Sequence, residues 1–325
     1  MDRIFLAITL SKSASQQLVF YFTLYLSILS PTMLTPQLTQ DGSYTFFSPE
    51  FQELFHSHSG AKQEAEEKFV KPCQLQEKAR AKSSLKILDI CYGLGYNSAA
   101  ALDAIWSVNP QCYVELIALE NDPNIPNQSV AAQLLKQWGS DISDSLENLA
   151  QTHHVHFPKF QAKLLLGDGR KTIQTVKSLG HKFDAIFLDP FSPPKCPQLW
   201  TVEFLTLVTQ CLHHQGHLAT YSSAAAVRVA LQLSGLNIAP TRGVGRRSPG
   251  TLASFNGQNL ESISQQESEH LRTRAAIPYR DPSLEDSPMV IHHRRKTEQQ
   301  ESSQETTSQW KKRWSKIRQA AKSLD

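Results

Sequence analysis

At 325 residues the chain has room for about two domains. With 40% hydrophobic, 19% charged and 9% aromatic residues, it is neither a wholly disordered chain nor a polytopic membrane protein. The net charge of +3 excludes nothing about nucleic acid, because electrostatic binding depends on clustered charge and not on the total.

Residues 13–40 carry no charge, and within them Leu18 to Leu29 is almost continuously apolar. That run is too short for a bilayer span of ~20 residues. Three readings fit it: a secretory signal lacking a small-x-small cleavage site, a weak membrane anchor, or a segment upstream of a true start at Met33. Residues 1–34 are therefore set apart as an apolar leader, with Met33 as the preferred start and no membrane contact expected. Residues 35–296 form the expected catalytic domain.

Within it, short apolar runs alternate with helical patterns, the signature of a parallel sheet built from βαβ units. Strands are expected over Leu85–Cys91, Val114–Leu119, Leu164–Leu166, Ala185–Leu188 and His217–Tyr221. Helices are expected over Ser98–Trp106, within Val130–Trp138, and over Thr172–Leu179, Val202–Leu212 and Ala224–Leu233. Asn237–Thr241 and Thr251–Phe255 flank a Gly/Arg/Pro-rich loop and read as a closing hairpin. The fold class is thus α/β, a doubly wound Rossmann-like sheet ending in an antiparallel hairpin, the variant used by class I S-adenosylmethionine-dependent methyltransferases.

In such sheets the ligand sits at the carboxyl ends of the strands. The first strand leads into Asp89-Ile-Cys-Tyr-Gly93-Leu-Gly95-Tyr-Asn97, whose glycines let the backbone approach a ligand. Ser98 stands where a dinucleotide fingerprint has its third glycine. Glu120, ending the second strand before Asn121, is placed to accept from both hydroxyls of a ribose. Asp168, followed by Gly169, can accept from an adenine amino group. Glycines, a ribose acid and an adenine acid on successive strand ends specify S-adenosylmethionine better than any one of them does.

The fourth strand delivers Asp189-Pro-Phe191-Ser-Pro-Pro-Lys195-Cys-Pro197. Its prolines stiffen the loop and fix Asp189 and Phe191 beside the expected sulfonium. A carboxylate there can orient an acceptor amine and take its proton, and Phe191 can stack on a planar base.

The remaining features fall outside that site. The five cysteines are scattered and odd in number, which points to a reducing, cytoplasmic setting. His153, His154 and His156, like His213, His214 and His217, lack carboxylates at ligand spacing and read as solvated loops, so no metal is expected. Thr297 to Gln309 is wholly polar and reads as a disordered linker. Beyond it, residues 310–325 place Trp310, Trp314, Ile317, Ala321 and Leu324 on one face of a basic amphipathic helix.

From about Asp41 to Arg295 the chain resembles the methyltransferase family that includes the methyltransferase half of the bifunctional bacterial enzyme making 5-methylaminomethyl-2-thiouridine in tRNA, and its stand-alone relatives. The resemblance rests on Asp41-Gly42-Ser43, on Gly60-Ala61 with Glu64, on Gly93, Gly95 and Asn97, on Asp189-Pro-Phe-Ser-Pro with Lys195, Pro197 and Trp200, and on Gly243-Val-Gly-Arg246-Arg247. It implies S-adenosylmethionine as cofactor, held by Gly93, Gly95, Glu120 and Asp168, with Asp89, Asn97, Asn121, Gly169 and Glu64 as further candidates and Asp189 catalytic. The implied reaction is methylation of the aminomethyl group on the wobble uridine in the tRNA anticodon loop; read from the chain itself, Lys195, Arg246 and Arg247, with Arg242 near them, either contact tRNA phosphates beside the cleft or form a solvated basic loop. The flavin oxidase half is not expected in these residues, so other tRNA-modifying enzymes would supply the aminomethyl group. The loop departs from the family where Ile90, Cys91 and Tyr92 replace a segment with a third glycine. Two alternatives are kept: a methyltransferase of a small amine or protein, and a silent methyltransferase-like scaffold.

Overall fold

The computed structural model describes residues 33–243, 249–258 and 260–322. The leader up to residue 32, with its apolar run, lies outside them, as do Arg246 and Arg247. Among the described residues no helix is long and apolar enough to cross a membrane.

The chain opens with two small antiparallel ribbons, β1 (Gln37–Leu38) with β2 (Tyr44–Thr45) and β3 (Phe47–Ser48) with β4 (Glu53–Leu54). Two helical segments follow. The first, α1 (Ala61–Glu64), continues as a π-helical turn over Ala65–Val70, and the second is α2 (Leu75–Ala81). This extension is pinned to the sheet face-on, since Phe69 meets Phe187 edge to face at 5.9 Å and Lys78 Nζ donates to the Asp184 carbonyl at 2.7 Å.

The doubly wound part then runs β5 (Ser84–Ile90), α3 (Tyr96–Val108), β6 (Tyr113–Glu120), α4 (Asn124–Ala131), α5 (Ser140–Thr152), β7 (His154–Phe157), β8 (Phe160–Leu166), α6 (Gly169–Ser178), β9 (Phe183–Leu188), α7 (Val202–Cys211), β10 (Leu212–Thr220), α8 (Ala225–Leu233), β11 (Asn237–Pro240) and β12 (Thr251–Ser254). The sheet order is β11-β12-β10-β9-β5-β6-β8-β7, parallel from β10 to β8 and antiparallel at both edges. Alternate residues of the central strands are apolar on both faces. Leu88, Ile90, Ile186 and Leu188 join Ile173, Phe204, Val208 and Val227 in one buried cluster, while Ile87 and Phe187 are buried on the opposite face. Burial on both faces is why these strands read as continuous apolar runs. Winding reverses between β5 and β9, which opens the ligand crevice at their carboxyl ends.

The expected strands and most helices coincide with the observed elements, overrunning them by at most one residue, as at Cys91 and Tyr221, and the hairpin closes the sheet as expected. The segment Val130–Trp138 differs: α4 ends at Ala131 and only a 3-10 turn, Leu134–Gln137, lies inside it. The long helix there is α5, whose Ile142, Leu146, Leu149 and Ala150 are buried at helical spacing. The histidine clusters are not loops either. His154 and His156 lie on the edge strand β7, and His213, His214 and His217 on β10.

After the sheet come α9 (Gln265–His270), capped by a reciprocal Ser264–Glu267 box, then α10 (Pro288–Glu301) and α11 (Thr307–Lys322). The polar tract expected as a disordered linker is corrected here. Residues 297–301 continue α10, because Ser287 caps that helix, Pro288 starts it, and Arg294 and Arg295 tie its flank to the carbonyls of Arg280, Ile277 and Ala275. Tertiary anchoring overrides the polar composition.

Candidate active site

The glycine loop is built from left-handed backbone. Cys91, Gly93 and Gly95 have φ of +66°, +55° and +83°. A side chain at Gly95 is excluded twice, since its Cβ would lie 2.6 Å from the Tyr92 hydroxyl and its φ disfavours L residues. Cys91 carries a side chain in the conformation that glycine adopts freely, a strain of about 1–3 kcal/mol of the kind that gathers at ligand sites.

Glu120 closes this loop from the next strand. One carboxylate oxygen accepts the Gly93 N–H at 2.8 Å, and the other accepts the N–H groups of Asn121 and Asp122 at 2.7 and 2.9 Å. Burial pushes its carboxyl up, against those hydrogen bonds. Asp89, fully buried, accepts from the Ser98 hydroxyl at 2.6 Å through one oxygen, while the other has no partner among the described residues; burial pushes its carboxyl to about 7.

Asp189 follows β9. The Asn97 side-chain amide donates to it at 2.8 Å, and burial, reinforced by the negative charge of Glu64, raises its carboxyl well above the usual range. The Asn97 carbonyl oxygen is buried without a partner among the described residues. A pocket lined by Phe55, His56, Cys91, Tyr92, Gly93, Leu94, Tyr96, Asn97 and Asp189 joins these groups. His56 contributes no charge near neutrality because burial lowers it to about 4. Asp189 is the one carboxylate in that lining, and no cationic side chain lies beside it there.

The proline loop owes its rigidity to more than its prolines. The Tyr221 hydroxyl donates to the Pro190 carbonyl and the Trp200 indole to the Phe191 carbonyl, each at 2.9 Å, while the Ser192 N–H and hydroxyl donate to Glu53 at 3.1 and 2.5 Å. Phe191 is stacked on Phe51 at 4.3 Å and 14° and meets Phe55 edge-on at 5.0 Å. One face of Phe191 is thus already covered by Phe51, which corrects the picture of an open stacking platform. Lys195 is exposed on the same loop.

Other candidates are placed differently from expectation. Glu64 is not a pocket-lining residue: its oxygens take Lys68 at 2.8 Å and the Ser57 N–H at 3.0 Å, so it fastens the N-terminal extension. Asp168 caps α6 and is gripped by Arg170, which also reaches the fully buried Asp281 at 2.8 Å. Gly169 allows close approach, since a Cβ there would come within 3.1 Å of Leu199. The Asn121 side chain is exposed, and its backbone N–H serves Glu120. Phe51, Glu53, Phe55 and His56 were not foreseen from the sequence; their signal is the aromatic density of Phe46 to Phe55.

A family model described as S-adenosyl-L-methionine-dependent methyltransferase matches residues 128–256. The crystal structure of MNMC2 from Aquifex aeolicus superposes with a TM-score of 0.73 at 31% identity, covering 91% of this chain and 94% of that one. The chain belongs to this methyltransferase family. The methyltransferase is also 29% identical, over 76% of its length, to an uncharacterized protein of Methanocaldococcus jannaschii, 67% of which is covered. A tRNA 5-methylaminomethyl-2-thiouridine biosynthesis bifunctional protein MnmC of Ralstonia nicotianae is 29% identical over 69% of the chain. The chain spans about a third of that relative's length, 34%.

S-adenosylmethionine is the cofactor of this family, and the unfilled acceptors of the site match it in kind. The cofactor offers an ammonium, two ribose hydroxyls and an adenine amine as donors; the Asn97 and Asp89 oxygens without partners among the described residues would be open to such donors, while Glu120 already takes three backbone N–H groups and Asp168 is engaged by Arg170. Arg170 holds the Asp168 carboxylate by its Nε and Nη2. Arg170→Ala is expected to raise the KM for S-adenosylmethionine roughly tenfold with kcat nearly unchanged, and Arg170→Lys to rescue little, because lysine lacks the fork geometry. Steady-state kinetics in the cofactor check this, and an unaltered KM would show that Asp168 needs no such support.

Proposed function

We propose that the methyltransferase acts on the exocyclic amine of an aminomethylated wobble uridine in tRNA, in the cytoplasm, downstream of the enzymes that install the aminomethyl group. The observation that carries this reading is Asp189, a carboxylate with a raised pKa fixed by Asn97 and by the pinned proline loop at the switch point of the sheet. The naming of MnmC relatives as tRNA-modifying proteins supports the substrate class.

Bound S-adenosylmethionine supplies a methyl group on a positively charged sulfur. The residues of the chain do the rest. Asp189 accepts a hydrogen bond from the incoming ammonium and takes its proton, leaving a neutral lone pair. Asn97 holds one oxygen of the carboxylate, and a base positioned in advance costs little reorganisation during transfer. Phe55 lines the pocket and is backed edge-on by Phe191, which in turn stacks on Phe51. A wobble base splayed from a single-stranded loop enters at little energetic expense.

The test is mass spectrometry of tRNA nucleosides from a strain lacking the gene. Loss of methylaminomethyl uridines with accumulation of aminomethyl precursors is expected. An unchanged wobble-uridine profile overturns the reading.

A further inference from the structure

We propose that the outward face of α11 is a docking surface for the tRNA sugar-phosphate backbone outside the anticodon loop; this rests on the tRNA reading of the active site. Three observations carry it.

The first is position. The Arg228 guanidinium, near the start of α8 and so beside the carboxyl end of β10, donates to Thr251 at 3.0 Å and to Glu267 at 2.9 Å. Glu267 lies on α9, and Glu269 of that same helix takes Arg313 at 2.5 Å and the Trp314 indole at 2.9 Å. These bonds fasten α11 to the end of the sheet that carries Asp189. Arg242, exposed where β11 ends, lies at that end as well.

The second is the fate of the apolar face. Trp310 is 8% exposed and stacks on His270 at 4.4 Å and 27°. Trp314 is half-buried, which leaves Ile317 as the exposed large apolar side chain of the helix. A helix lying on a membrane needs its apolar face free for insertion, and here the Trp310 end of that face is packed on the protein itself.

The third is charge. Arg313 is consumed by Glu269 and Glu305. Lys311, Lys312, Lys316 and Arg318 are exposed and make no ion pair among the described residues. No carboxylate interrupts the sequence from Thr307 to Lys322. Four unpaired cations over about 10 Å of helix, without an apolar patch between them, fit a polyphosphate backbone, which rewards neutralisation by counterion release and asks for no base contact.

The experiment compares the full chain with a variant carrying Lys311→Gln, Lys312→Gln, Lys316→Gln and Arg318→Gln, using an unmodified tRNA transcript across about 50–200 mM salt. The slope of log affinity against log salt is expected to flatten by about 3, at ~0.7–0.9 for each of the four phosphates no longer neutralised. S-adenosylmethionine affinity and binding of the isolated anticodon stem-loop stay unchanged. If the unaltered protein binds tRNA and the variant shows the same slope, the docking surface is refuted while the tRNA reading stands. If the unaltered protein fails to bind tRNA, both fall. Loss of binding to phosphatidylserine vesicles in place of tRNA assigns the face to a membrane and overturns the proposal.

Discussion

Asp189→Ala is expected to abolish methyl transfer while leaving S-adenosylmethionine binding within a few-fold of the unaltered protein. The carboxylate is one of the groups lining the pocket, and its bonded partner, Asn97, lies on α3. Removing it deletes the proposed proton acceptor without touching the Glu120 clamp on Gly93. A general base contributes typically 10²–10⁴-fold, so kcat is expected to fall by about that factor. Asp189→Asn keeps the shape and can still accept from Asn97, so an equal loss in that variant assigns the effect to the proton and not to packing. Calorimetry for binding and single-turnover methyl transfer for chemistry make the separation, and retained turnover in the alanine variant sinks the assignment.

The pH profile follows from the same residue. Asp189 works as a base only when ionised, and burial with the charge of Glu64 raises its pKa. Activity is therefore present above the raised pKa and lost as pH falls through it. The acid limb of kcat/KM is expected well above the ordinary carboxylate value of about 4. A bound ammonium beside the carboxylate favours its ionised form, which moves the limb in kcat below that in kcat/KM. An acid limb near pH 4 in both would show that Asp189 does not set it.

Strand-end residues were legible in the sequence because the doubly wound sheet maps chain order onto position. A residue at the end of an apolar run, such as Glu120 or Asp189, stands at the carboxyl end of the sheet whatever surrounds it. What the sequence hid comes from long-range contact. Phe51 and Phe55 reach Phe191 from some 140 residues upstream, and no local period announces that. The pairing of Glu64 with Lys68, one helical turn on, was hidden for the same reason, since only the fold buries the two together. Asp168 was legible as a strand-end acid but not as half of a grip with Arg170 and Asp281, since Asp281 arrives 111 residues after Arg170. The C-terminal helix shows the reverse case. Its amphipathic period was plain, and only the placement of Trp310 against His270 tells which face is spent and which is free.

Glu120→Gln is expected to lower S-adenosylmethionine affinity by roughly 100-fold, the largest binding effect of any single change at the site. A carboxylate offers about four lone-pair positions, and backbone N–H groups of Gly93, Asn121 and Asp122 already fill three of them. One position remains for a ribose hydroxyl, so a second ribose bond requires a backbone donor to be shared or released, and the Gly93 N–H is the donor that sits alone on its oxygen. Glutamine turns one of those oxygens into an NH₂. Whichever way the amide is placed, it sets a donor against a donor, either at Gly93 or at Asn121 and Asp122, and the vacant acceptor position is lost or weakened. Lost hydrogen bonds to a charged group cost about 1.5–3 kcal/mol each, so one such loss with a strained loop accounts for the hundredfold. Glu120→Asp retains the charge but falls short by a methylene, about 1.5 Å, and should lie between the two. Calorimetric titration with S-adenosylmethionine measures all three proteins, and urea unfolding of the apo forms separates the two roles. If Glu120→Gln loses stability yet binds the cofactor within threefold, Glu120 is a clamp on the glycine loop alone and the ribose belongs to another acceptor.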